Sequence, residues 1–330
     1  MNLPRIGLTT LVALAFGLAV IQLVSSGTLL SLFTQAIIYA IFAIGIGVLL
    51  RQNGMVSFGH ALYFGGAGYG IGILLQAQLM PAELAIVLTL VGLTVLAFVI
   101  GLIIVRVPGI AFGMLTLAIG QMAFLMASRA RGVTGGADGM NIDWPSTLFG
   151  LSQSVLLKPA HMFLLCWSVL VLVLFALALL LRSRFGSITE AVRDNEERAR
   201  FIGITTLLPR AGVYALSALV TGIAGILSSL NTGFVSPENL HWSLSGMTLM
   251  MVVVGGARAL WGPALGAVVY FLFKDILGDY ATHWMSIFGL ALISVIVFSP
   301  HGIAGALQRL TTLGKRGEPL PATARVAQAH

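Results

Sequence analysis

Charge is what this sequence has least of. Asp, Glu, Lys and Arg together make up 9% of the chain, whereas soluble domains carry roughly 25%. That leaves too little polar surface to face water on all sides, so a water-soluble globule is excluded. Cysteine is nearly absent as well. The single Cys166 lies inside an apolar run, which rules out a disulfide framework or a Cys-based metal site; it reads as a small buried hydrophobe. Acids and bases are also missing from the middles of the apolar runs, where an ion-driven carrier usually keeps them despite their cost at membrane depth. Only neutral polar groups stand there: Gln35, Asn53, Ser57, His60, Thr116, Gln121 and Ser217. A conduit without fixed charge, driven from elsewhere, fits that pattern.

Enzymatic signatures are missing too. The phosphate-cradling loop needs G-x-x-x-x-G-K-[ST]. The Gly314-Lys315 pair is followed by Arg316, and Arg309 stands where the first glycine belongs. No H-E-x-x-H occurs, and no acid or nucleophile pairs convincingly with His60, so a membrane-embedded enzyme built on that histidine is disfavoured. His60 reads either as a hydrogen-bonded packing residue or as a group lining the path.

What is present is apolar length. Hydrophobic residues are 58% of the chain and mean hydropathy is +1.00. A spanning helix needs about 20 mostly apolar residues. Runs at 7–24, 29–50, 55–76, 84–105, 109–127, 161–181, 211–230, 244–256, 263–276 and 283–298 predict an all-α polytopic bundle of about ten transmembrane helices. The eighth and ninth runs are short for a full crossing. The first 26 residues loosely resemble a signal peptide, but signal h-regions run only about 7–15 residues, so a retained first helix is expected. Small residues four apart, as in Gly66/Gly70, Gly68/Gly72, Gly109/Gly113, Ala218/Gly222 and Gly262/Gly266, predict close helix packing.

The net charge of +7 would suit nucleic acid, but Lys and Arg gather between the apolar runs, as the positive-inside rule requires of cytoplasmic loops. With both termini inside, 14 of the 18 cations are cytoplasmic and Arg129, Arg131, Lys158 and Lys274 are outside. This division implies a multi-pass membrane protein with membrane lipid, not nucleic acid, around it. Residues 1–310 form the transmembrane domain, with an external Gly/Pro/Ser-rich loop at 128–160 and an internal charged loop at 182–210. Residues 311–330 read as a flexible cytoplasmic tail.

Within the charged loop, Ser187 and Glu190 have capping-box spacing. Glu196/Arg200 and Asp194/Arg198 are four apart in the favourable order, and Gly203 is placed to end a helix. One amphipathic helix from Ser187 to Gly203 is predicted. Spacing alone serves equally a docking surface for a soluble partner and a solvated or membrane-surface helix.

Four blocks in order resemble the membrane subunits of branched-chain amino acid ABC importers, the LIV-type permeases. Gly54, Ser57, Gly59, His60, Phe64, Gly65 and Tyr69 match G-x-x-S-x-G-H-x-x-x-F-G-x-x-x-Y. Thr116-Leu117-Ala118 and Thr134-Gly135-Gly136-Ala137-Asp138-Gly139 match T-L-A and T-G-G-x-D-G. Ser183–Gly203 carries Phe185-Gly186, Asp194-Asn195-Glu196 and Gly203-Ile204. Phe234-Val235-Ser236-Pro237, Gly255-Gly256 and Leu260-Trp261-Gly262-Pro263 complete the set. Arg51 and Arg258 depart from the pattern, standing where the family usually has a small or apolar residue and a glycine.

The resemblance implies a fold similar to the larger, about ten-helix importers. It also implies a second related permease subunit, two cytoplasmic ATPases that hold ATP and Mg, and a periplasmic substrate-binding protein; this chain binds no cofactor itself. It implies that Glu190, Arg193, Asn195, Glu196 and Gly203 belong to the coupling helix that meets an ATPase. Ser57, His60, Thr116 and Gln121 are the path candidates. Permeases with these blocks also serve urea, short amides and aromatic acids. A self-sufficient ion-coupled secondary transporter is the alternative class.

Overall fold

In hydrocarbon every backbone N–H and C=O must be paired within the protein, and for a chain of long apolar runs the helix does this locally. The computed structural model describes residues 3–24, 26–78, 80–107, 109–148, 150–278, 284–299 and 302–313. Helices make up most of it. In chain order they are α1 (Leu3–Leu23), α2 (Gly27–Asn53), α3 (Ala61–Gln76), α4 (Ala82–Ile104), α5 (Ile110–Arg129) and the short α6 (Arg131–Thr134) and α7 (Gln153–Leu156). There follow α8 (Pro159–Leu180), α9 (Arg184–Asp194), α10 (Glu196–Phe201), α11 (Leu207–Thr232), α12 (Trp242–Gly255), α13 (Gly262–Gly278), α14 (Trp284–Phe298) and α15 (Gly302–Leu313).

Five of these, α2, α4, α5, α8 and α11, are long and apolar enough to cross a membrane. The third predicted run, 55–76, is helical only from Ala61, and α12 and α13 have 14 and 17 residues. Residues 314–330, most of the predicted tail, lie outside the described residues, as does the first residue of the tenth run.

The core is built around α2 and α11. They run antiparallel, since Gly45 meets Ser217 and Thr221 while Asn53 meets Arg210. Both are buried for most of their length, with Phe42, Ile44 and Tyr214 almost wholly enclosed. The outer helices differ. On α4 the exposed side chains Leu84, Leu88, Val91, Val95 and Val99 recur three and four apart and form one bare apolar face, which is a surface for lipid rather than for water. At the N-terminal end Trp167 of α8 donates to Ala13 O at 2.8 Å and fills the space over Gly17.

Most of the predicted small-residue pairs face a neighbouring helix. Gly66 and Gly70 meet Leu93 and Thr89 of α4, and Gly68 meets Ser229 of α11. A Cβ on Gly262 would lie 2.0 Å from Gly256 O, and one on Gly266 would lie 1.8 Å from Met251 O. Gly109 is different: nothing among the described residues lies within 4 Å of its would-be side chain.

The 128–160 loop carries two small antiparallel pairings. β1 (Met140–Asn141) pairs with β4 (Phe234–Val235), and β2 (Thr147–Leu148) pairs with β3 (Leu151–Ser152). The first of these joins the T-G-G-x-D-G and F-V-S-P blocks. Thr134 Oγ1 donates to Ala127 O at 2.6 Å, and Gly139, at φ +73, approaches so closely that a Cβ would lie 2.5 Å from Val235 O. This end caps the C-terminus of α11. The charged loop lies at its N-terminus, about 39 Å away for 26 residues at 1.5 Å each.

Candidate functional site

Between α2 and α3 the chain leaves the helix for Gly54–His60 while still deep in the protein. Gly54, at φ +65, caps α2 by donating to Leu50 O. Non-helical backbone at such depth is tolerated only where protein satisfies it, and three helices do so here. Phe58 N–H donates to Thr116 Oγ1 of α5 at 3.2 Å, and Ala61 N–H donates to Ser245 Oγ of α12 at 2.7 Å. His60 reaches Ser217 Oγ of α11 through Nε2 at 2.6 Å and Ser57 Oγ through Nδ1 at 2.7 Å.

The proton positions follow from the partners. The Ser217 hydroxyl donates to Gly45 O at 2.6 Å, so it must accept from Nε2–H. A neutral imidazole has one donor and one acceptor, so Nδ1 accepts from Ser57, whose oxygen in turn accepts from Gly59 N–H at 3.3 Å. His60 is fully buried and its ring stands edge-on to Tyr63 and Tyr214, whose hydroxyls bond each other at 3.0 Å. Both ring nitrogens are thus used within the protein in this conformation. A buried network with every member satisfied rigidifies its surroundings.

Of the four path candidates, Ser57 and His60 bond directly, and Thr116 holds the same segment through Phe58. Gln121 stands five residues along α5. Its side chain is half-buried and its Oε1 has no partner among the described residues. The adjoining outer face of α5 carries exposed Met114, Met122, Leu125 and Met126.

The charged loop forms two helices rather than the single predicted one. Ser183, not Ser187, caps α9, its Oγ accepting from Phe185 N–H. Ser187 lies one turn inside. Asn195 breaks the helix at φ −158 and caps α10, its Oδ1 accepting from Arg198 N–H at 2.9 Å. Asn is among the strongest N-capping residues and the two acids after it favour a helix start, which outweighs continuation. Asp194 therefore bonds Arg193 at 2.6 Å rather than Arg198. Gly203, at φ +84, ends α10: its N–H donates to Arg200 O and that of Ile204 to Ala199 O, a paired closure that favours glycine.

These helices are fastened to the ends of α2 and α11. Arg193 donates to Arg51 O at 2.6 Å, and Thr189 donates to Gln52 Oε1 at 2.9 Å. Asn53 Nδ2 donates to Arg210 O at 3.0 Å. Glu196 binds Arg200 and Arg210, each at 2.6 Å, and accepts from Thr206. Partial burial pushes the Glu196 carboxyl up, but the Thr206 bond and the Arg210 and Arg200 charges outweigh it and hold it below the usual glutamate value. Thr206 and Arg210 escaped sequence reasoning because they lie 10 and 14 residues from Glu196, at no helical spacing. Among the described residues no cluster of three His, Cys, Asp or Glu is placed to hold a metal.

A helical core wrapped by apolar outer faces defines this as an integral membrane protein, with one charged loop fastened to its central helices. The family described as "branched-chain amino acid transport system / permease component" matches residues 28–297, and the chain belongs to it. Among curated relatives, the high-affinity branched-chain amino acid transport system permease protein LivM of Salmonella typhimurium is 25% identical over 85% of this chain and 71% of its own length. The Escherichia coli LivM is 24% identical over the same shares. The autoinducer 2 import system permease protein LsrC of Salmonella paratyphi B is 29% identical over 87% of this chain and 82% of its own. No solved structure matches.

Proposed function

We propose that this chain is a membrane-spanning permease subunit of an ATP-driven importer for branched-chain or related amino acids, with about ten transmembrane helices and both termini cytoplasmic. The observation that carries the reading is the continuous linkage from α9 and α10 through the Arg51–Asn53 end of α2 into the Ser57–His60 segment. A cytoplasmic ATPase that moved α9 and α10 would move that segment with them. Glu190, Arg193, Asn195, Glu196 and Gly203 form the handle. Ser57, His60 and Thr116 brace the wall of the path, and Gln121 with the exposed face of α5 meets a second, related permease subunit across it. A periplasmic binding protein delivers the solute, and ATP and Mg sit on the ATPases.

The solute class rests on the two LivM relatives. The likeness to LsrC supports a second reading, the same machinery carrying autoinducer 2 or a similar small solute. The test is uptake into proteoliposomes holding this chain with the permease, ATPases and binding protein encoded beside it. Labelled leucine, isoleucine, valine and autoinducer 2 would be offered in turn. ATP-dependent uptake of a branched-chain amino acid supports the first reading. Uptake by this chain alone on an ion gradient would sink both.

A further inference from the structure

The outer helices leave a crevice between them. α4 packs along α11, whereas α8 packs along α2, and between α4 and α8 lies an open cavity of about 540 Å³. Ile86 and Leu90 of α4 form one wall, and Leu165, Val169 and Leu172 of α8 form another. The floor is Ile223, Leu227 and Leu230 of α11. Within each helix these positions recur three or four apart, so each helix turns one continuous stripe toward the same space.

One end of the crevice is closed. Leu148 and Leu151 of the β2–β3 pair and Leu156 of α7 roof it, and Leu148 and Leu156 are almost wholly enclosed. From His161, in the first turn of α8, to Leu172 the lining runs about 16 Å at about 1.5 Å per residue. That is about half of the roughly 30 Å hydrocarbon thickness, the depth of one leaflet. Leu172, 56% exposed, marks the open side.

Polarity and size select the occupant. A buried water needs roughly two to four polar partners. Among the described lining residues the polar ones are Ser168 and His161. The Ser168 hydroxyl already donates to Leu165 O at 2.8 Å, and His161 is exposed at the roofed end. A further helix is excluded by its bulk. At about 10 Å across and about 5.4 Å per turn it fills about 420 Å³ per turn, so the cavity would hold little more than one turn. A flexible hydrocarbon chain suits both the volume and the length, and the bilayer supplies it from the open side. Left empty, the lining would forfeit its dispersion contacts there.

We propose that this crevice is a binding site for one acyl chain of a membrane phospholipid. On the bare face of α4 a lipid chain touches protein on one side only. Here three helices and a roof enclose it, so it stays longer. The inference needs only that the chain spans a membrane and is independent of the importer reading.

The test places the full chain in phosphatidylcholine nanodiscs doped with a phosphatidylcholine that carries a diazirine midway along one acyl chain. After brief illumination the labelled residues are mapped by mass spectrometry. Leu165 and Ile223 should take at least about fivefold more label than Leu88 and Val95 on the bare face of α4, because the crevice encloses its ligand. Leu88 is a fair control, being as far from the start of α4 as Leu165 is from that of α8. Val169→Trp fills the crevice. It should cut the label on Ile223 at least about fivefold and leave that on Val95 within about twofold.

The first ratio requires no variant, so a folding failure of Val169→Trp leaves the test intact. Equal labelling of the crevice and the bare face would mean passing lipid only and would overturn the proposal. So would loss of the crevice label when the second permease subunit of the proposed importer is added, since a protein would then cover the opening.

Discussion

Glu196 and Arg210 face each other across the turn between α10 and α11, Oε2 to Nη1 at 2.6 Å. The arginine is the more enclosed partner, its side chain 13% exposed against 29% for the acid. Removing the acid therefore strands a largely buried cation, which costs more than a surface ion pair contributes. The pair also joins the shortest helix of the charged loop to one of the two most buried helices in the molecule. Glu196→Gln and Arg210→Gln, singly and together, should give a double-mutant coupling of about 1–3 kcal/mol. Local opening of residues 196–203, read by hydrogen exchange, should show it. A coupling near zero would mean that the loop is held by its other bonds.

The same carboxylate makes the loop's attachment depend on pH. Its folded value is lowered from the ordinary 4.5, so the folded protein holds the charged form more firmly than the unfolded chain does. The stabilisation is complete above 4.5 and is lost as pH falls through the lowered folded value. Exchange protection at 196–203, corrected for the intrinsic rate, should be flat from pH 7 to about 5 and then fall. In Glu196→Gln that fall should be absent.

Asn195 offers a smaller effect. Its side chain satisfies Arg198 N–H at the start of α10, and replacing such a cap by Ala costs about 1 kcal/mol. Asn195→Ala should speed proteolysis of the charged loop, while Asn195→Asp or Asn195→Ser should hold it near the original rate.

The helical character of the chain was legible because a bilayer imposes a long, simple pattern on sequence. Run length alone located α2, α4, α5, α8 and α11. The break at Asn195 was written locally, in a capping residue followed by Glu196 and Glu197, but helical spacing across Ser187–Gly203 concealed it. The site itself was legible only as a set of residue types. His60 and Ser217 are 157 positions apart, and no periodicity links them. The unwound Gly54–His60 segment was hidden for the opposite reason: it opens the apolar run at 55–76 without interrupting it, and the bonds from Thr116, Ser217 and Ser245 let it leave the helix.

His60 tests whether that network is structural. His60→Leu removes the partner of both Ser57 and Ser217 and leaves Ser57 Oγ–H in a dry site without an acceptor. A buried polar group stranded in this way costs about 1–3 kcal/mol. His60→Gln, whose amide offers both a donor and an acceptor, should restore part of that stability. If the leucine variant is as heat-resistant in detergent as the original chain, the hydrogen-bond assignment around His60 is wrong.

Gly59 gives the sharpest steric prediction. It lies against α5, where an added Cβ would stand 2.1 Å from Thr116 O and 3.1 Å from Thr116 Cβ. Neither the carbonyl nor the short Thr116 side chain can move aside without shifting the helix. The Gly54–His60 segment cannot retreat either, since His60 is tied to α11 and Ala61 to α12. Overpacking of this kind costs about 1–3 kcal/mol, and here it also pushes Phe58 N–H away from Thr116 Oγ1. Gly59→Ala should therefore lower the yield of monodisperse protein in size-exclusion chromatography. Gly246→Ala on α12, where nothing among the described residues lies within 4 Å, should leave the yield unchanged. If the two variants behaved alike, α5 would not press on the unwound segment.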